Sequence, residues 1–277
     1  MIFNLLTDHW IRAVTASGQP VTVSLEVVLL EGESLADIVE PPMTRLAILR
    51  LLLAMNSSQW QGGKFGLMGE DAFLQVEGLP LDSARTPENI LAMQDGGGPA
   101  LGPVNKAAAI TEPDLARALV TAYFCDRGGL KARGPGLPIS AAKPLHVGQL
   151  VAFKAANNLG EFLALNAVPA SDWAPWWYRP IDYGEAFAGD LVQYLLWPWR
   201  RVRVTEQGVV IAAGTKFTGL DNDPWVIGRA ALRHLNGLGK DAPEYDADVT
   251  ALVLSQATPV ACWRLTHSAL EASEVGV

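Results

Sequence analysis

Apolar and polar positions alternate loosely at the start of the chain and then change period. Residues 3–14 alternate as a half-buried strand does, with Trp10 a candidate core anchor. A Ser17–Gly18 turn leads into residues 19–30, where Val21, Val23 and Leu25 fall on one face at strand spacing. The two segments together predict a β-hairpin or a strand with its neighbour. Pro41–Pro42 blocks any continuation. Residues 43–56 then place Leu46, Leu49 and Leu53 on a broad apolar face, which predicts a core helix. A Gly-Gly loop spans 61–64, residues 73–81 predict a short strand, and 95–103 read as a flexible loop. Thr111-Glu-Pro-Asp114 reads as a helix start: the threonine caps, proline suits the first turn and Asp114 completes a box-like motif. That helix is expected to run to about Phe124.

The second half repeats the mixture. Residues 145–154 are strand-like, and Asn158 through Glu161 gives a capping signal for a short helix over 161–168. Residues 182–197 predict a buried helix, with Phe187, Leu191, Tyr194 and Leu195 at helical spacing. Two strand patterns flank the turn at residues 205–208, a hairpin signal in which Arg201 and Arg203 share one face. Asp223–Pro224 predicts another helix start, with Asn236–Gly237 as its stop. Residues 240–248 form an acidic loop, 251–259 an apolar strand entering a polar turn, and the remainder a strand and a fraying tail. Short strands and helices interleave, so the predicted fold class is α+β: one compact mixed domain over residues 1–277.

Composition narrows the function. With 49% hydrophobic and 18% charged residues, the chain can bury a core and is not a disordered segment. The two cysteines, Cys125 and Cys262, sit in no CxxC pair and beside no histidine cluster, so neither a zinc site nor a disulfide framework is expected. The N-terminus has no basic leader, and the most apolar helix, residues 46–55, is interrupted by Arg50 and too short to span a bilayer. A cytoplasmic protein with no membrane segment is expected. The net charge of −8 and a pI near 5.0 argue against wrapping long DNA alone. Any nucleic-acid contact must be local, with partners supplying most of the positive charge.

One stretch runs against that balance. Residues 127–136 hold four glycines and three basic residues, and no acid occurs from Arg127 to Gly160. Glycine lets the main chain approach a ligand closely and frees successive N–H groups to face an anion. Lys131, Arg133, Lys143 and Lys154 add charge on or near that surface. The stretch is read either as a loop pressed on a nucleic-acid backbone or groove, or as a long solvated loop. Trp173, Trp176, Trp177 and Tyr178 are either a stacking platform for sugars or bases, or a clamp fixing a loop to the core. Lys216 lies among small residues, able to reach a phosphate or base edge, or merely solvated. Gln256 sits where a strand ends before Pro259. No HExxH, GxSxG, P-loop or Rossmann fingerprint is present, and His9, His146, His234 and His267 are scattered.

In this order the pieces resemble a family. FNLLTDHWI at 3–11, PVN at 103–105, CDRGGLKARGPGL at 125–137, KPLHVG at 143–148, APWWYRP at 174–180, YLLW at 194–197, KFT at 216–218 and SQAT at 255–258 are similar to the large subunit, CasA, of type I-E CRISPR surveillance complexes (Cascade). The resemblance implies a non-catalytic, cofactor-free subunit that recognises the protospacer-adjacent motif (PAM) of duplex DNA from the minor groove and wedges the duplex open. Carried over by motif, the DNA-binding residues are Arg133, Gly134, Gly136 and Lys216, with Lys131 beside them. The wedge is Ser255, Gln256 and Ala257, and Asn105 and Lys106 belong to the loop that meets the guide's 5′ handle and a neighbouring subunit. The implied partners are the backbone, handle-capping and small subunits, the crRNA 5′ handle, double-stranded target DNA and, where one is recruited, a nuclease. Three departures stand out. The family's C-terminal helical bundle is expected to be absent. Pro135 interrupts the glycine run and lacks an N–H. A cysteine cluster seen in some members is missing, so no metal is expected. Two alternatives stay open: a subunit that caps the guide handle without reading a motif, and an unrelated carbohydrate-binding enzyme that uses the aromatic cluster.

Overall fold

We describe the protein from a computed structural model, over residues 3–94, 110–126, 129–132, 136, 138–147, 150–154, 156–220, 223–227, 249–254 and 262–264. Near the N-terminus, Asn4 and Asp8 close a turn: the Asn4 N–H donates to Asp8 Oδ2 and the Leu6 N–H to Asn4 Oδ1. The first strand, β1, therefore begins only at Ile11 (Ile11–Thr15), after Trp10. Trp10 is fully buried and its indole donates to the Leu5 carbonyl at 2.8 Å, so the expected anchor holds. Strand β2 (Pro20–Val23) pairs antiparallel with β1, Ile11 opposite Val23. The expected strand does not continue to Leu30. Ser24 is extended, its Oγ accepts the Val27 N–H, and helix α1 (Leu25–Glu31) follows with Leu25 and Val28 buried at helical spacing. Strand β3 (Leu35–Ile38) adds to the other edge, giving the order β2-β1-β3.

Helix α2 (Pro42–Asn56) is the centre of the fold and is buried from Met43 to Met55 except at Arg45. A helix apolar nearly all round must be enclosed on every side. Residues 73–81 do not form the expected strand. Leu74 takes a left-handed φ of 55°, which no pleated strand accommodates, and Gln75 instead bridges the Leu67 carbonyl and the Val204 N–H. Helix α3 (Pro87–Gln94) has no counterpart among the expected elements. Helix α4 (Glu112–Cys125) starts as expected, Thr111 Oγ1 accepting from the Asp114 N–H, and buries every side chain from Leu115 onward. It lies against α2, where Thr121 and Thr44 share a buried hydrogen bond.

Beyond α4 come the two-residue strands β4 (Gly129–Leu130) and β5 (Ser140–Ala141), then β6 (Leu150–Lys154). Residues 145–147 form a turn, so β6 is shorter than its pattern suggested. Helix α5 (Leu159–Leu165) is capped by Asn158 as expected. Helix α6 (Leu191–Leu195) is a single short turn of helix, not the long one predicted from residue 182. Gly189 at φ 84° and the Asp190 cap start it late, leaving Phe187 in the preceding loop. Strands β7 (Arg200–Thr205) and β8 (Gly208–Ala213) make the expected hairpin, with Arg201 and Arg203 on its less buried face. The chain is not helical over 223–227, and the rest of the helix expected there lies outside the described residues. Asp223 Oδ1 accepts the Trp225 N–H in a tight turn, and β9 (Val226–Ile227) pairs with β6. Strands β10 (Val249–Leu254) and β11 (Cys262–Arg264) complete an antiparallel sheet of order β11-β10-β6-β9. Residues 236–237 and the acidic loop at 240–248 lie outside the described residues. The chain is thus α+β, with short antiparallel sheets set around buried helices. No helix among the described residues is long and apolar enough to cross a membrane.

One ionic cluster lies inside this core. Arg50 of α2 donates to Asp223 Oδ2 at 2.7 Å, and both side chains are wholly buried. Tyr194 of α6 donates its hydroxyl to the same oxygen at 2.7 Å. The rings of Tyr194 and Trp225 lie against the Arg50 guanidinium at 5.3 and 5.4 Å. Burial alone would push Asp223 up, but the Arg50 charge and these hydrogen bonds hold it well below the usual carboxylate range. His146 is buried beside the cluster, its Nε2 2.9 Å from the Phe124 carbonyl. Burial, reinforced by Arg50, pushes its pKa down to about 4.

These shifts set a pH dependence. Unfolded, His146 takes up a proton near pH 6.5; folded, it does so only near pH 4, so stability falls as pH drops through that window. At ~1.4 kcal/mol per pH unit, the loss is about 3 kcal/mol. Further acid loss below about pH 4 belongs to Asp223, whose carboxylate is favoured by the fold. Urea melts of the wild type and of His146→Gln at pH 7 and pH 4.5 check this. The variant should lose much less stability between the two pH values, and equal losses would contradict it.

Candidate nucleic-acid interface

The glycine-rich stretch is held at its base by charge. Asp126, 1% exposed, ends α4 and receives Arg200 twice: Nε on its carboxylate at 2.6 Å and Nη2 on its backbone carbonyl at 3.0 Å. Arg200 opens β7, at the buried phase of that strand's alternation. Beyond Asp126, β4 and β5 pair Gly129 with Ala141 and Leu130 with Ser140. The Lys131 N–H donates to the Ile139 carbonyl at 2.7 Å, and the Ala132 N–H to the Ile211 carbonyl of β8 at 3.1 Å. The ribbon is therefore joined to the β7–β8 hairpin on both sides. Gly136 lies further out, exposed, at φ 69° with nothing near its missing Cβ. That conformation suits glycine and costs most other residues. Arg133 and Gly134 lie outside the described residues.

Lys131 differs from its expected role. Its side chain is only 4% exposed, and its ammonium pairs with the same Asp126 oxygen that Arg200 uses. Burial pushes its pKa down and Asp126 opposes the shift. It supports the ribbon from beneath and presents no charge to solvent. Lys143 and Lys154 are exposed, as expected.

The KFT triplet follows β8 after Gly214 and Thr215. Gly214 crosses over the chain at Pro198–Trp199, where a Cβ would collide with the Pro198 carbonyl. The Thr215 N–H donates to Pro198 O, its hydroxyl to Tyr183 O, and its own carbonyl accepts the Trp197 indole. Phe217 is buried in an aromatic box, 4.8 Å from Trp197 and 5.0 Å from both Tyr194 and Phe187. Lys216, between these anchored neighbours, is exposed, with no ion pair among the described residues. Arg200, which grips the glycine ribbon, is paired with Ala213, three residues before Lys216. The ribbon and the lysine turn are thus carried by one hairpin.

The wedge residues Ser255, Gln256 and Ala257 lie outside the described residues, as do Asn105 and Lys106. Leu254, which precedes Ser255, is paired with Leu150, the first residue of β6. Leu150 is also paired with Ile227. β10 thus delivers the chain to the sheet end where β6 begins, the end fed by the segment that leaves the glycine ribbon at Ala141.

The aromatic cluster resolves toward packing. Trp176 and Trp177 are buried, and their indoles donate to the Leu196 and Gln59 carbonyls at 2.9 Å. Trp177 stacks on Phe65, and Arg179 lies 4.1 Å over Trp176. A cleft of about 460 Å³ runs beside Trp176, Tyr178 and Tyr183, but its indole wall is already covered by that guanidinium. Trp176 therefore presents no bare face to a sugar there. Sequence reasoning missed Asp126 and Arg200. An arginine at the buried phase of an alternating strand was the available signal, since such a charge demands a buried carboxylate.

Residues 4–57 match the family model for CRISPR-associated protein Cse1. The fold is similar to that of CasA from Thermus thermophilus, with a TM-score of 0.62 and 23% identity over 80% of this chain and 54% of that one. It is also similar to Thermobifida fusca Cse1, with a TM-score of 0.62 and 20% identity over 78% of this chain and 52% of that one. A chain from a CRISPR RNA-guided surveillance complex aligns at a TM-score of 0.63 and 15% identity, over 95% of this chain and 75% of that one. The chain spans about half the length of the CasA and Cse1 structures it matches. No curated protein matches it in sequence. The resemblance read from motif order is thus met by the Cse1 family model at the N-terminus and by the Cse1 fold over most of the chain.

The lysine turn should tolerate no side chain at Gly214. Gly214→Ala forces the Pro198–Trp199 backbone to move, at a cost of about 1–3 kcal/mol. Thermal melts would read this as a clear fall in Tm, whereas Gly18→Ala, which meets open space but has a positive φ, should cost only about 1 kcal/mol. A Gly214→Ala protein as stable as wild type would show that the crossing is not tight.

Proposed function

We propose that the chain works as a large-subunit component of an RNA-guided CRISPR surveillance complex, where it senses the PAM of duplex DNA and starts strand separation. The single observation that carries the reading is the common mounting of the glycine ribbon and the Lys216 turn on the β7–β8 hairpin. The minor groove offers mainly acceptors and the guanine amino group. An exposed lysine donates to acceptors, and backbone bare of side chains fits the narrow groove. Arg133, Gly134 and Gly136 would supply the ribbon's contact and Lys216 the side-chain donor. Gln256, with Ser255 and Ala257, would intrude between base pairs, at a cost of a few kcal/mol of unstacking. Guide pairing then offsets that cost, because the heteroduplex is about as stable as the duplex it replaces.

In this reading the chain does no bond chemistry and needs no cofactor. Guide-bearing subunits provide the basic channel, which reconciles a net charge of −8 with DNA recognition. Asn105 and Lys106 would face the crRNA 5′ handle and the adjoining subunit, and small subunits and a recruited nuclease complete the set of partners. Pro135 removes one backbone donor from the ribbon, so the recognised motif should differ from that read by an unbroken glycine run.

Binding of the assembled complex to two targets tests this, one fully duplex and one melted in advance. Lys216→Ala should weaken duplex binding roughly ten- to hundredfold, about 1–3 kcal/mol, with little effect on the melted target. Gln256→Ala should follow the same pattern, and equal loss on both targets would remove the wedge role. Randomised bases beside the target should show a preference; their absence would favour a subunit that only caps the guide handle.

A further inference from the structure

Asp126 is shared by two buried cations that come from different parts of the chain. Arg200 belongs to the hairpin that carries the lysine turn, and Lys131 to the outgoing limb of the glycine ribbon. The Asp126–Arg200 pair spans 74 residues, the Asp126–Lys131 pair only the first residues of the ribbon. One carboxylate therefore ties the ribbon's outgoing limb to the end of α4 and both to β7. The backbone repeats the tie, since Ala132 donates to Ile211 of β8 and Lys131 to Ile139. Arg200 alone would be enough to neutralise Asp126. A second buried cation raises the cost of desolvation without being needed for charge balance. The arrangement makes sense if what it supplies is position.

We infer that Lys131 is a positioning residue for target recognition: through Asp126 it fixes the glycine ribbon relative to the Lys216 turn, so that backbone and lysine meet a DNA groove as one rigid surface. The inference rests on the proposed reading of Lys216 and the ribbon as a duplex contact. Lys131 itself touches no ligand. Its removal leaves the Asp126–Arg200 pair and the core beneath it intact, but frees the ribbon's outgoing limb to move. Binding must then bear the entropy of ordering that limb again. The effect should fall on the duplex step, where the groove has to be matched, and not on guide pairing.

Lys131→Met keeps the stem's length and apolar contact while removing the charge. Two measurements on the full chain decide the matter. In hydrogen exchange, the Lys131 and Ala132 amides should exchange at least about tenfold faster in Lys131→Met. In the assembled complex, duplex binding should weaken on the order of tenfold while binding to a pre-melted target is unchanged. Lys131→Arg should restore both. Unchanged exchange, equal loss on both targets, or failure of the arginine to rescue would each overturn the positioning role. Lys216→Ala run alongside separates the two ideas. If it leaves duplex binding intact, the DNA reading falls and this inference with it. If it impairs duplex binding while Lys131→Met does not, only the positioning role falls.

Discussion

Two arginines, Arg50 and Arg200, are buried in this fold with 0% and 1% of their surface exposed, and neither could remain there without a carboxylate brought from elsewhere in the chain. An unpaired guanidinium in a low-dielectric interior is intolerable, and removing one partner of such a pair typically costs about 3–5 kcal/mol. Asp223 serves Arg50 from a loop 173 residues away, and Asp126 serves Arg200 from the end of α4. Both carboxylates therefore fix the path of a loop. Asp126 fixes the entry to the glycine ribbon. Asp223 fixes the chain leaving the KFT turn, just before β9 enters the sheet that also holds β10. Two electrostatic pins set into a hydrophobic core thus flank the regions proposed as a DNA contact.

That division has a physical logic. A surface meant to meet a nucleic acid cannot cover itself with apolar side chains, because they would pack inward and leave nothing to present. The turn at Thr215, Lys216 and Phe217 answers the conflict within three residues. Phe217 is buried in an aromatic box, Thr215 is tied by hydrogen bonds through its backbone and its hydroxyl, and the residue between them is exposed. Neighbours on both sides of Lys216 are fixed, so an ordinarily floppy lysine has a defined root. The same principle acts at the ribbon, where a buried lysine and a buried aspartate hold glycines that have no side chain to hold themselves.

The parts of the fold legible in the sequence are those governed by neighbours along the chain. Helix α2 follows from an apolar run after paired prolines, the α4 and α5 caps from Thr111 and Asn158, and the β7–β8 hairpin from its alternation. The failures share a different character. Residues 23–30 satisfy strand and helix periods at once, and only the Ser24 cap decides between them. The left-handed Leu74 breaks a plausible local strand pattern, and Gln75 beside it is held by Leu67 and Val204 instead. Of the candidate site, the exposed state of Lys216 and the turn glycine at 136 agree with the residue pattern. The inward turn of Lys131 does not, because nothing nearby in sequence announces that Arg200 will already be waiting on Asp126.

The acidic balance of the chain bears on the same point. In a protein carrying a net charge of −8, a surface cation is attracted to its own carboxylates as well as to a ligand. Arg12, Arg45, Arg179 and Lys64 are all paired with acids of the chain. An exposed lysine escapes that fate only where no acid lies within reach, and the run from Arg127 to Gly160 contains none. Exposed pairs contribute little to stability, so the absence of acids there is not explained by folding. Under the proposed function, the exposed Lys143 and Lys154 would stay available for the phosphates of a neighbouring guide or target strand.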